Sequence, residues 1–395
     1  MKEYALCTIV AKNYLSYART LSDSFLEYHP DSMVFVLLVD KIDGFFDPSK
    51  EKFQLIEVDR LNNIEQKEQM FFKYTILELC TAVKPFFMEY IFEHYPVKKL
   101  LYLDPDILVT NPLDEILNLL NTNSIIITPH ITNPISINDK ATPDEITFMQ
   151  YGIYNLGFIG LSKTNESLRF IQWWKERLWH FCINAVSKGL YVDQKWIDMV
   201  PILFNGVMVF KKPGYNVAPW NLQEKKFSIK DGRLLVNNEL LYFFHFGGFE
   251  ISDIERLCRY QTRYKLSDFK ELVSLFEHYK ELLIKNGYYE VSTWPYHYGF
   301  YDNGKKIEDI DRKAYWTLGE KVIKFGNPFA TKDSSSFYNH RKQYTGYRGK
   351  FKNWILDKII FIGLKHRGKI KQLPYVGRVA KNFYHNLFSK RRREF

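Results

Sequence analysis

The sequence predicts an α/β fold in which a mostly parallel sheet is covered by helices on both faces. Short apolar runs of strand length alternate with longer amphipathic segments through residues 1–250, which is the pattern of such sheets. Several of these runs are followed by a polar side chain; the run at 34–39, for example, is followed by Asp40. Ligands bind beyond the carboxyl ends of strands in such sheets, so polar residues are expected there. The chain has 395 residues, of which 46% are apolar, so it can bury a full core.

The predicted elements alternate along the chain. We predict strands over residues 6–10, 34–39, 100–103, 124–128, 158–161, 207–210 and 241–244. We predict helices over residues 17–28, 66–94, 113–120 and 166–181, with the second interrupted near Lys84, because the residue before a proline disfavours helix. Residues 252–285 are charged and have a helical pattern. The chain therefore divides into an α/β domain over 1–250, a helical and aromatic region over 251–333, and a basic amphipathic tail over 334–395.

The net charge of +10 is concentrated in the tail. Residues 341–395 contain 16 Lys and Arg against 2 Asp and Glu, whereas the remainder contains 39 against 43. A mildly acidic body argues against a nucleic-acid binder. No apolar run reaches the roughly 18 residues of a membrane span, and the acid at Glu3 argues against a signal peptide. Four scattered cysteines (Cys7, Cys80, Cys182 and Cys258) indicate neither a disulfide framework nor a zinc site, so we expect a cytoplasmic protein.

Two carboxylates follow the predicted strand at 100–103. Asp104 and Asp106 are separated only by Pro105, whose fixed φ makes the turn stiff. Ligands bind beyond the carboxyl ends of strands in α/β sheets, and two oxygen donors on a stiff turn suit Mg²⁺ or Mn²⁺. The alternative is that Asp-Pro-Asp only ends the strand and begins a turn.

His245 follows the last predicted strand and precedes Gly247 and Gly248. A histidine in an aromatic strand is usually a packed core residue. Its place at a strand end, beside a diglycine that lets the backbone approach a phosphate, favours a metal ligand instead.

These motifs resemble those of nucleotide-sugar glycosyltransferases of the GT-A fold, specifically the retaining, glycogenin-like and lipopolysaccharide-galactosyltransferase-like family. The resemblance covers about residues 4–250 and rests on short motifs in the family's order, which are Asn13-Tyr14, Asp104-Pro105-Asp106, Asn155-Leu156-Gly157, Asp193-Gln194 and His245. It implies a GT-A mixed sheet flanked by helices, with an appended helical C-terminal region, and a Mn²⁺ or Mg²⁺ ion held by Asp104, Asp106 and His245.

The resemblance also implies roles for residues around that metal. The donor-binding residues would be Thr8, Asn13, Tyr14, Lys84, Asp104, Asn155 and Gly248; Asp193 and Gln194 would lie closest to the reacting carbon, and Trp220 and Asn221 would face the acceptor. Several have a plain structural alternative, which is packing for Tyr14 and Trp220, a solvated surface for Lys84, a turn for Asn155 and a helix N-cap for Asp193.

The sequence departs from the family pattern at three places. Ala11 stands where the family often has an acid, so the identity of the base is open. Lys84 replaces an arginine, which keeps the charge but loses the bidentate fork. The segment 249–251 replaces a Lys-Pro-Trp motif whose lysine grips the diphosphate; Lys84, Arg256 or a residue of the C-terminal region would then supply that charge.

The resemblance implies a metal-dependent hexosyltransferase of bacterial surface polysaccharide synthesis. It would move a hexose or a derivative from a nucleotide-sugar, expected to be a UDP-sugar, to a glycan or lipid-linked acceptor with retention. In that mechanism the leaving phosphate takes the acceptor proton. Two alternatives remain, an inverting GT-A transferase in which Asp193 is the base, and a catalytically silent glycan- or membrane-binding module that keeps the fold.

The tail predicts a membrane partner. Its apolar residues Phe351, Trp354, Ile355, Ile359 and Ile362 fall on one face of a helix, bordered by Lys352, Lys358, Lys365 and Arg367. Each basic residue near an anionic leaflet contributes about 1 kcal/mol to attachment. We therefore expect peripheral attachment to an anionic membrane surface at the inner face of the cell membrane. The alternative is that the apolar stripe packs on the catalytic domain.

Overall fold

The computed structural model describes residues 3–345. They belong to two compact units, one that ends at Phe300 and one that begins at Tyr301. The predicted boundary near Glu250 falls inside the first unit, because Leu257 and Phe276 share a buried apolar cluster with Phe244. The division into 1–250, 251–333 and 334–395 stays a prediction, and the predicted amphipathic face at 351–362 lies outside the described residues.

The first unit is built on a seven-stranded mixed sheet. The strands of this unit, which also include those of three smaller sheets, are in chain order β1 (Tyr4–Val10), β2 (Met33–Leu38), β3 (Gln54–Glu57), β4 (Lys99–Leu103), β5 (Ile107–Val109), β6 (Ile125–Pro129), β7 (Tyr154–Ser162), β8 (Asn184–Ala185), β9 (Leu190–Tyr191), β10 (Val207–Val209), β11 (Phe227–Lys230), β12 (Arg233–Val236), β13 (Glu239–Leu240) and β14 (Phe243–His245). The sheet order is β10-β6-β7-β4-β1-β2-β3. β7 runs antiparallel to both β4 and β6, whereas the other neighbours are parallel.

Helices flank this sheet. In the first unit they are α1 (Leu15–Tyr28), α2 (Lys67–Lys73), α3 (Ile76–Ala82), α4 (Lys84–His94), α5 (Asp114–Leu119), α6 (Glu145–Tyr151), α7 (Asn165–Phe181), α8 (Gln194–Ile197), α9 (Val200–Leu203), α10 (Val273–Lys285) and α11 (Tyr288–Val291). The second unit contains α12 (Asp309–Leu318), α13 (Phe337–His340) and α14 (Lys342–Thr345). The structure confirms the predicted α/β class, a mixed sheet flanked by helices.

The predicted helix at 66–94 is three helices. Thr75 begins α3 by accepting a hydrogen bond from the backbone of Glu78 at 3.4 Å, and Pro85 lies in the first turn of α4. A proline is tolerated there because its missing N–H would have had no partner within the helix. No helix within residues 3–345 combines the length and the apolar character that crossing a bilayer requires.

Two neighbouring strands of the sheet, β1 and β4, end next to the candidate site. β1 and β4 are parallel neighbours and are buried almost throughout. Strands covered on both faces read as continuous apolar runs, which is why these two were predictable. Because parallel strands end at the same edge, the turn at Asp104 lies at the same edge of the sheet as the loop that follows β1.

Two sequence-based expectations were wrong in detail. The strand that ends at His245 is not part of the central sheet; it pairs antiparallel with β5 as a separate two-stranded sheet. The predicted helix at 252–285 is an α-helix only from Val273, after short 3₁₀ turns. A continuous α-helix through 252–285 is excluded, because Leu257 has a φ of 60° and the N–H of Arg259 donates to the carbonyl of Gly248 at 3.1 Å.

Candidate active site

Asp104, Asp106 and His245 come together at the edge of the sheet. One ligand atom from each lies within 4.8 Å of the others. Nε2 of His245 lies 3.1 Å from Oδ1 of Asp106 and 3.9 Å from Oδ2 of Asp104. The three donors thus converge in the way a divalent-cation site requires, and their chemistry fits Mn²⁺. A plain turn would not bring a distant histidine onto the two carboxylates.

Backbone hydrogen bonds hold the three side chains in place. The N–H of Asp104 donates to the carbonyl of Gly157 at 2.8 Å, and the N–H of Phe246 donates to the carbonyl of Asp106 at 2.8 Å. His245 is the register partner of Ile107, the residue that follows Asp106. The β5–β14 ladder therefore sets the third ligand beside the second.

Asn155 orients the imidazole. Its Oδ1 lies 3.3 Å from Nδ1 of His245 and accepts from Nδ2 of Asn216 at 3.1 Å. A proton on Nδ1 that points to an amide oxygen leaves Nε2 free to bind a metal. The same oxygen accepts from the N–H of Gly157 at 3.2 Å. Asn155 therefore has a positioning role, and its contact with a donor sugar stays a prediction.

The ion pair between His245 and Asp106 shifts both groups. Burial acts to lower the pKa of His245, but the carboxylates of Asp106 and Asp104 outweigh it and raise the pKa above its usual value. Burial acts to raise the pKa of Asp106, and the charge of His245 reverses that effect so that its pKa falls. The carboxylates therefore favour positive charge at this position, and a divalent cation would bind there by displacing the proton from Nε2 of His245.

Lys84 is buried next to Asp104, one of the candidate metal ligands. It is 2% exposed, so the solvated-surface alternative is wrong. Its Nζ lies 2.8 Å from Oδ2 of Asp193 and 3.4 Å from Oδ1 of Asp104, and it donates to the carbonyl of Leu156 at 3.0 Å. The two carboxylates raise the pKa of Lys84 in spite of its burial, so the ammonium stays charged. Lys84 thus joins Asp193 to the metal ligand Asp104.

Asp193 and Gln194 lie beside this ion pair. Asp193 occupies the N-cap position of α8, but its side chain makes no capping bond and pairs with Lys84 instead. Oε1 of Gln194 accepts from the N–H of Leu156 at 3.0 Å, and its Nε2 donates to the carbonyl of Tyr151 at 3.0 Å. Both residues therefore touch the groups that surround the metal triad. Their place beside a reacting carbon stays a prediction.

Polar atoms without partners lie at the end of β1. Oγ1 of Thr8 and Oδ1 of Asn13 are buried and have no hydrogen-bond partner among residues 3–345. Buried polar atoms left unpaired are costly, so both atoms are open to a hydrogen bond from a ligand. Tyr14 is 42% exposed and stacks on Tyr17 with a ring separation of 4.8 Å. An exposed ring next to unpaired acceptors suits a nucleotide base.

Sequence reasoning missed Lys12, which supports this loop. Lys12 is buried, and its Nζ lies 3.3 Å from Asp40 and 3.1 Å from Asp43. The N–H of His297 also donates to Asp40 at 2.8 Å. The signal available was Asp40 at the end of an apolar run, although its partner could not be read from the sequence.

Trp220 packs edge-on against His245, with a ring separation of 4.9 Å. Its Nε1 is buried without a partner among the described residues. Asn221 is buried and engaged with the backbone: its Oδ1 accepts from Ala218, and its Nδ2 donates to the carbonyls of Asn216 and His130. Packing thus accounts for much of both side chains, and their acceptor roles stay predictions.

His130 is a further residue that the sequence did not reveal. Its Nε2 lies 3.3 Å from Nδ2 of Asn155, so it supports the amide that orients His245. Burial lowers its pKa to about 4, which keeps the ring neutral and able to accept that hydrogen bond. The predicted strand at 124–128 ends just before His130, and that position was the only signal for it.

The glycines next to His245 leave no room for side chains. Gly248 has a φ of +78°, and a Cβ on Gly247 would lie 2.8 Å from Cζ3 of Trp220. The close neighbours are side chains of the protein itself, so the approach of this backbone to a phosphate stays a prediction.

No protein-family model matches the chain. It is 29% identical over 266 residues to the uncharacterized protein YfnF of Bacillus subtilis (strain 168), which covers 64% of this chain and 84% of the relative. It is 26% identical over 279 residues to the uncharacterized protein YfnD of the same organism, with coverages of 68% and 85%.

Several solved structures are similar at low identity. The galactosyltransferase LgtC in complex with donor and acceptor sugar analogs has a TM-score of 0.40 and 15% identity, over 71% of this chain and 95% of that chain. The glycosyltransferase GlyE of Streptococcus pneumoniae TIGR4 has a TM-score of 0.39 and 13% identity, over 75% of this chain and 66% of that chain.

Proposed function

We propose that this protein is a metal-dependent glycosyltransferase that uses a nucleotide-sugar donor. The observation that carries the proposal is the convergence of Asp104, Asp106 and His245 at the carboxyl edge of an α/β sheet. A UDP-sugar is the donor we propose, since Thr8 and Asn13 offer buried acceptor atoms and Tyr14 an exposed ring at the same edge. The proposed sugar is a hexose or a derivative.

Each residue has a distinct task in this proposal. Asp104, Asp106 and His245 would hold Mn²⁺ or Mg²⁺, and the ion would supply positive charge against the diphosphate leaving group. Asn155 keeps the imidazole turned toward the ion. The buried ammonium of Lys84 holds Asp193 and Asp104 in fixed positions, so neither carboxylate has to reorganise during the reaction.

We propose transfer with retention. In this step the bond between the anomeric carbon and the diphosphate oxygen breaks, the acceptor oxygen bonds to that carbon from the same face, and the leaving phosphate takes the acceptor proton. An inverting reaction would need Asp193 as a free base, but this side chain is 2% exposed and paired with Lys84. That pairing favours the retaining alternative.

The test is a donor screen. Purified protein with Mn²⁺ is incubated with a panel of nucleotide-sugars, and slow donor hydrolysis is scored with and without chelator. We expect hydrolysis of one donor that stops when the metal is removed, and proton NMR should show that the first anomer released keeps the donor configuration. No turnover of any donor, or equal turnover in excess chelator, would contradict the proposal.

We also propose that the acceptor is a glycan or a lipid-linked glycan of bacterial surface polysaccharide synthesis, held at the inner face of the membrane. The support is the charge of residues 341–395, which contain 16 Lys and Arg but only 2 Asp and Glu. Flotation with anionic and neutral liposomes, at low and high salt, compares the full chain with one that ends at Gly346. We expect only the full chain to bind anionic liposomes, and only at low salt. Equal recovery of both chains would mean that the tail does not bind membranes.

A further inference from the structure

The chain leaves the triad of Asp104, Asp106 and His245 after His245 and folds back onto Gly248 at Arg259. The N–H of Arg259 donates to the carbonyl of Gly248 at 3.1 Å. Leu257 and Cys258, just before it, are buried in the apolar cluster that also contains Phe244. Because these contacts fix the returning segment, Arg259 is anchored beside a residue three positions from a metal ligand.

Arg259 and Tyr260 lie over the turn formed by Gly247 and Gly248. A Cβ on Gly248 would be 2.6 Å from Cδ2 of Tyr260, so the tyrosine ring lies directly on the backbone there. The guanidinium carbon of Arg259 is 4.9 Å from the centre of the same ring, and the side chain of Arg259 is exposed. A guanidinium placed against an aromatic ring is preorganised, so it loses less freedom when it binds an anion.

The charges of Arg259 and Asp106 act on the same neighbours. Burial raises the pKa of Tyr14, the carboxylate of Asp106 adds to that rise, and Arg259 opposes it. Burial raises the pKa of Cys258 to about 11, and there too Arg259 lowers the value while Asp106 raises it. The contacts of Gly247 and Gly248 agree with this: a Cβ on Gly247 would lie 3.5 Å from Nε2 of His245, and Gly248 is covered by the ring on which Arg259 lies, so Arg259 is placed next to the residues that adjoin the triad.

The two other cationic side chains that the sequence suggested already have partners within the chain. Lys84 is buried and bound by two carboxylates, so it has no hydrogen-bonding capacity directed to solvent. Arg256 lies 3.7 Å from the carboxylate of Glu250 and donates to the carbonyl of Arg259 at 3.4 Å.

We propose that Arg259 binds the diphosphate of the donor, an inference that rests on the proposed function. Its planar fork matches two phosphate oxygens, which a lysine cannot do. The segment 249–251 of this sequence has no lysine that could provide a positive charge, and Arg259 would provide that charge instead. Arg259 is therefore a specificity residue for nucleoside diphosphates over nucleosides.

The experiment measures calorimetric binding of UDP, GDP, ADP and CDP, and of the matching nucleosides, to the full chain with Mn²⁺. For the diphosphate that binds the wild type, Arg259→Gln should raise Kd about tenfold or more, because charge-assisted bonds to phosphate are lost. The nucleoside Kd should not change. Arg233→Gln removes an exposed charge on β12 as a matched control and should change either Kd by less than about twofold.

The outcomes separate this inference from the proposed function. Unchanged diphosphate binding in Arg259→Gln, while the wild type binds, overturns this inference alone. A larger effect of Arg256→Gln than of Arg259→Gln also overturns it, in favour of Arg256. If the wild type binds no nucleoside diphosphate in the presence of Mn²⁺, the proposed function and this inference both fail.

Discussion

Gly157 and His245 lie so close that a Cβ on Gly157 would overlap Cε1 of the imidazole and sit 2.5 Å from its Nδ1. β7 thus passes the third ligand of the candidate metal site where only a glycine fits. Two residues earlier on the same strand, Asn155 holds Nδ1 of His245 at 3.3 Å. One strand therefore both orients the imidazole and limits how far it can tilt.

Gly157→Ala should displace His245. We expect the Kd for Mn²⁺ to rise about tenfold or more, as when a residue that orients a ligand is changed, and the free energy of unfolding to fall by about 1–3 kcal/mol from overpacking. Calorimetry and chemical denaturation measure the two effects. Gly160→Ala is the control on the same strand, since its Cβ would be 3.4 Å from the nearest atom. Equal metal affinity in both variants would contradict the assignment of His245.

Asp106→Ala should abolish metal-dependent turnover. The stability of the metal-free protein should fall by no more than about 1 kcal/mol, because His245 can lose its proton once its partner is gone. Turnover with Mn²⁺ and denaturation in chelator measure the two quantities, with the exposed Asp31→Ala as the control. Full activity of Asp106→Ala, or of the wild type in excess chelator, would rule out the site.

Much of the fold and the two carboxylates of the candidate metal site could be predicted from local pattern. The apolar run of β4 and the paired carboxylates after it are adjacent in sequence, and strand periodicity is a local property. The pairing of β5 with β14 was not predictable in this way, because it joins residues far apart in the chain. The burial of Lys84 has the same cause, since its partner Asp193 is also distant in sequence.

The small sheet β11-β12-β13 was missed although the sequence contained its signal. Asp231-Gly232 and Asn237-Asn238 each have positive φ at both positions, as two-residue hairpin turns require. Asx and glycine pairs between short apolar segments are typical of such turns. Hydrophobic periodicity alone gave these segments little weight, because their strands are only two to four residues long.

His130 should make the protein less stable in acid. Burial lowers its pKa from the ordinary 6.5 to about 4, so the unfolded chain binds a proton first as the pH falls. Stability is therefore lost between pH 6.5 and about pH 4, by up to about 3 kcal/mol.

His130→Gln keeps a donor and an acceptor but removes this titration. Denaturation at pH 7 and pH 5 should show a smaller loss in His130→Gln than in the wild type, whereas the exposed His94→Gln should behave like the wild type. Equal losses in all three proteins would mean that His130 is not buried in its neutral form.

Lys84→Met should be among the most destabilising single substitutions near the site. It leaves Asp193, which is 2% exposed, without the ammonium 2.8 Å away that compensates its charge. Removing one partner of a buried ion pair costs about 3–5 kcal/mol, whereas an exposed pair contributes about 1 kcal/mol or less. Lys98→Met is the matched control, because Lys98 pairs with Glu3 at 2.6 Å with both side chains more than half exposed.

The second substitution Asp193→Asn should recover part of that loss. Burial already raises the pKa of Asp193, and a neutral amide removes the charge that Lys84→Met leaves unpaired. Denaturation of Lys84→Met, Asp193→Asn and the double variant gives the coupling between the two positions. We expect the double variant to be more stable than Lys84→Met alone, and still inactive if Lys84 fixes Asp104 for metal binding. If the two losses simply add, the ion pair does not form, and Asp193 is not linked to the metal ligands through Lys84.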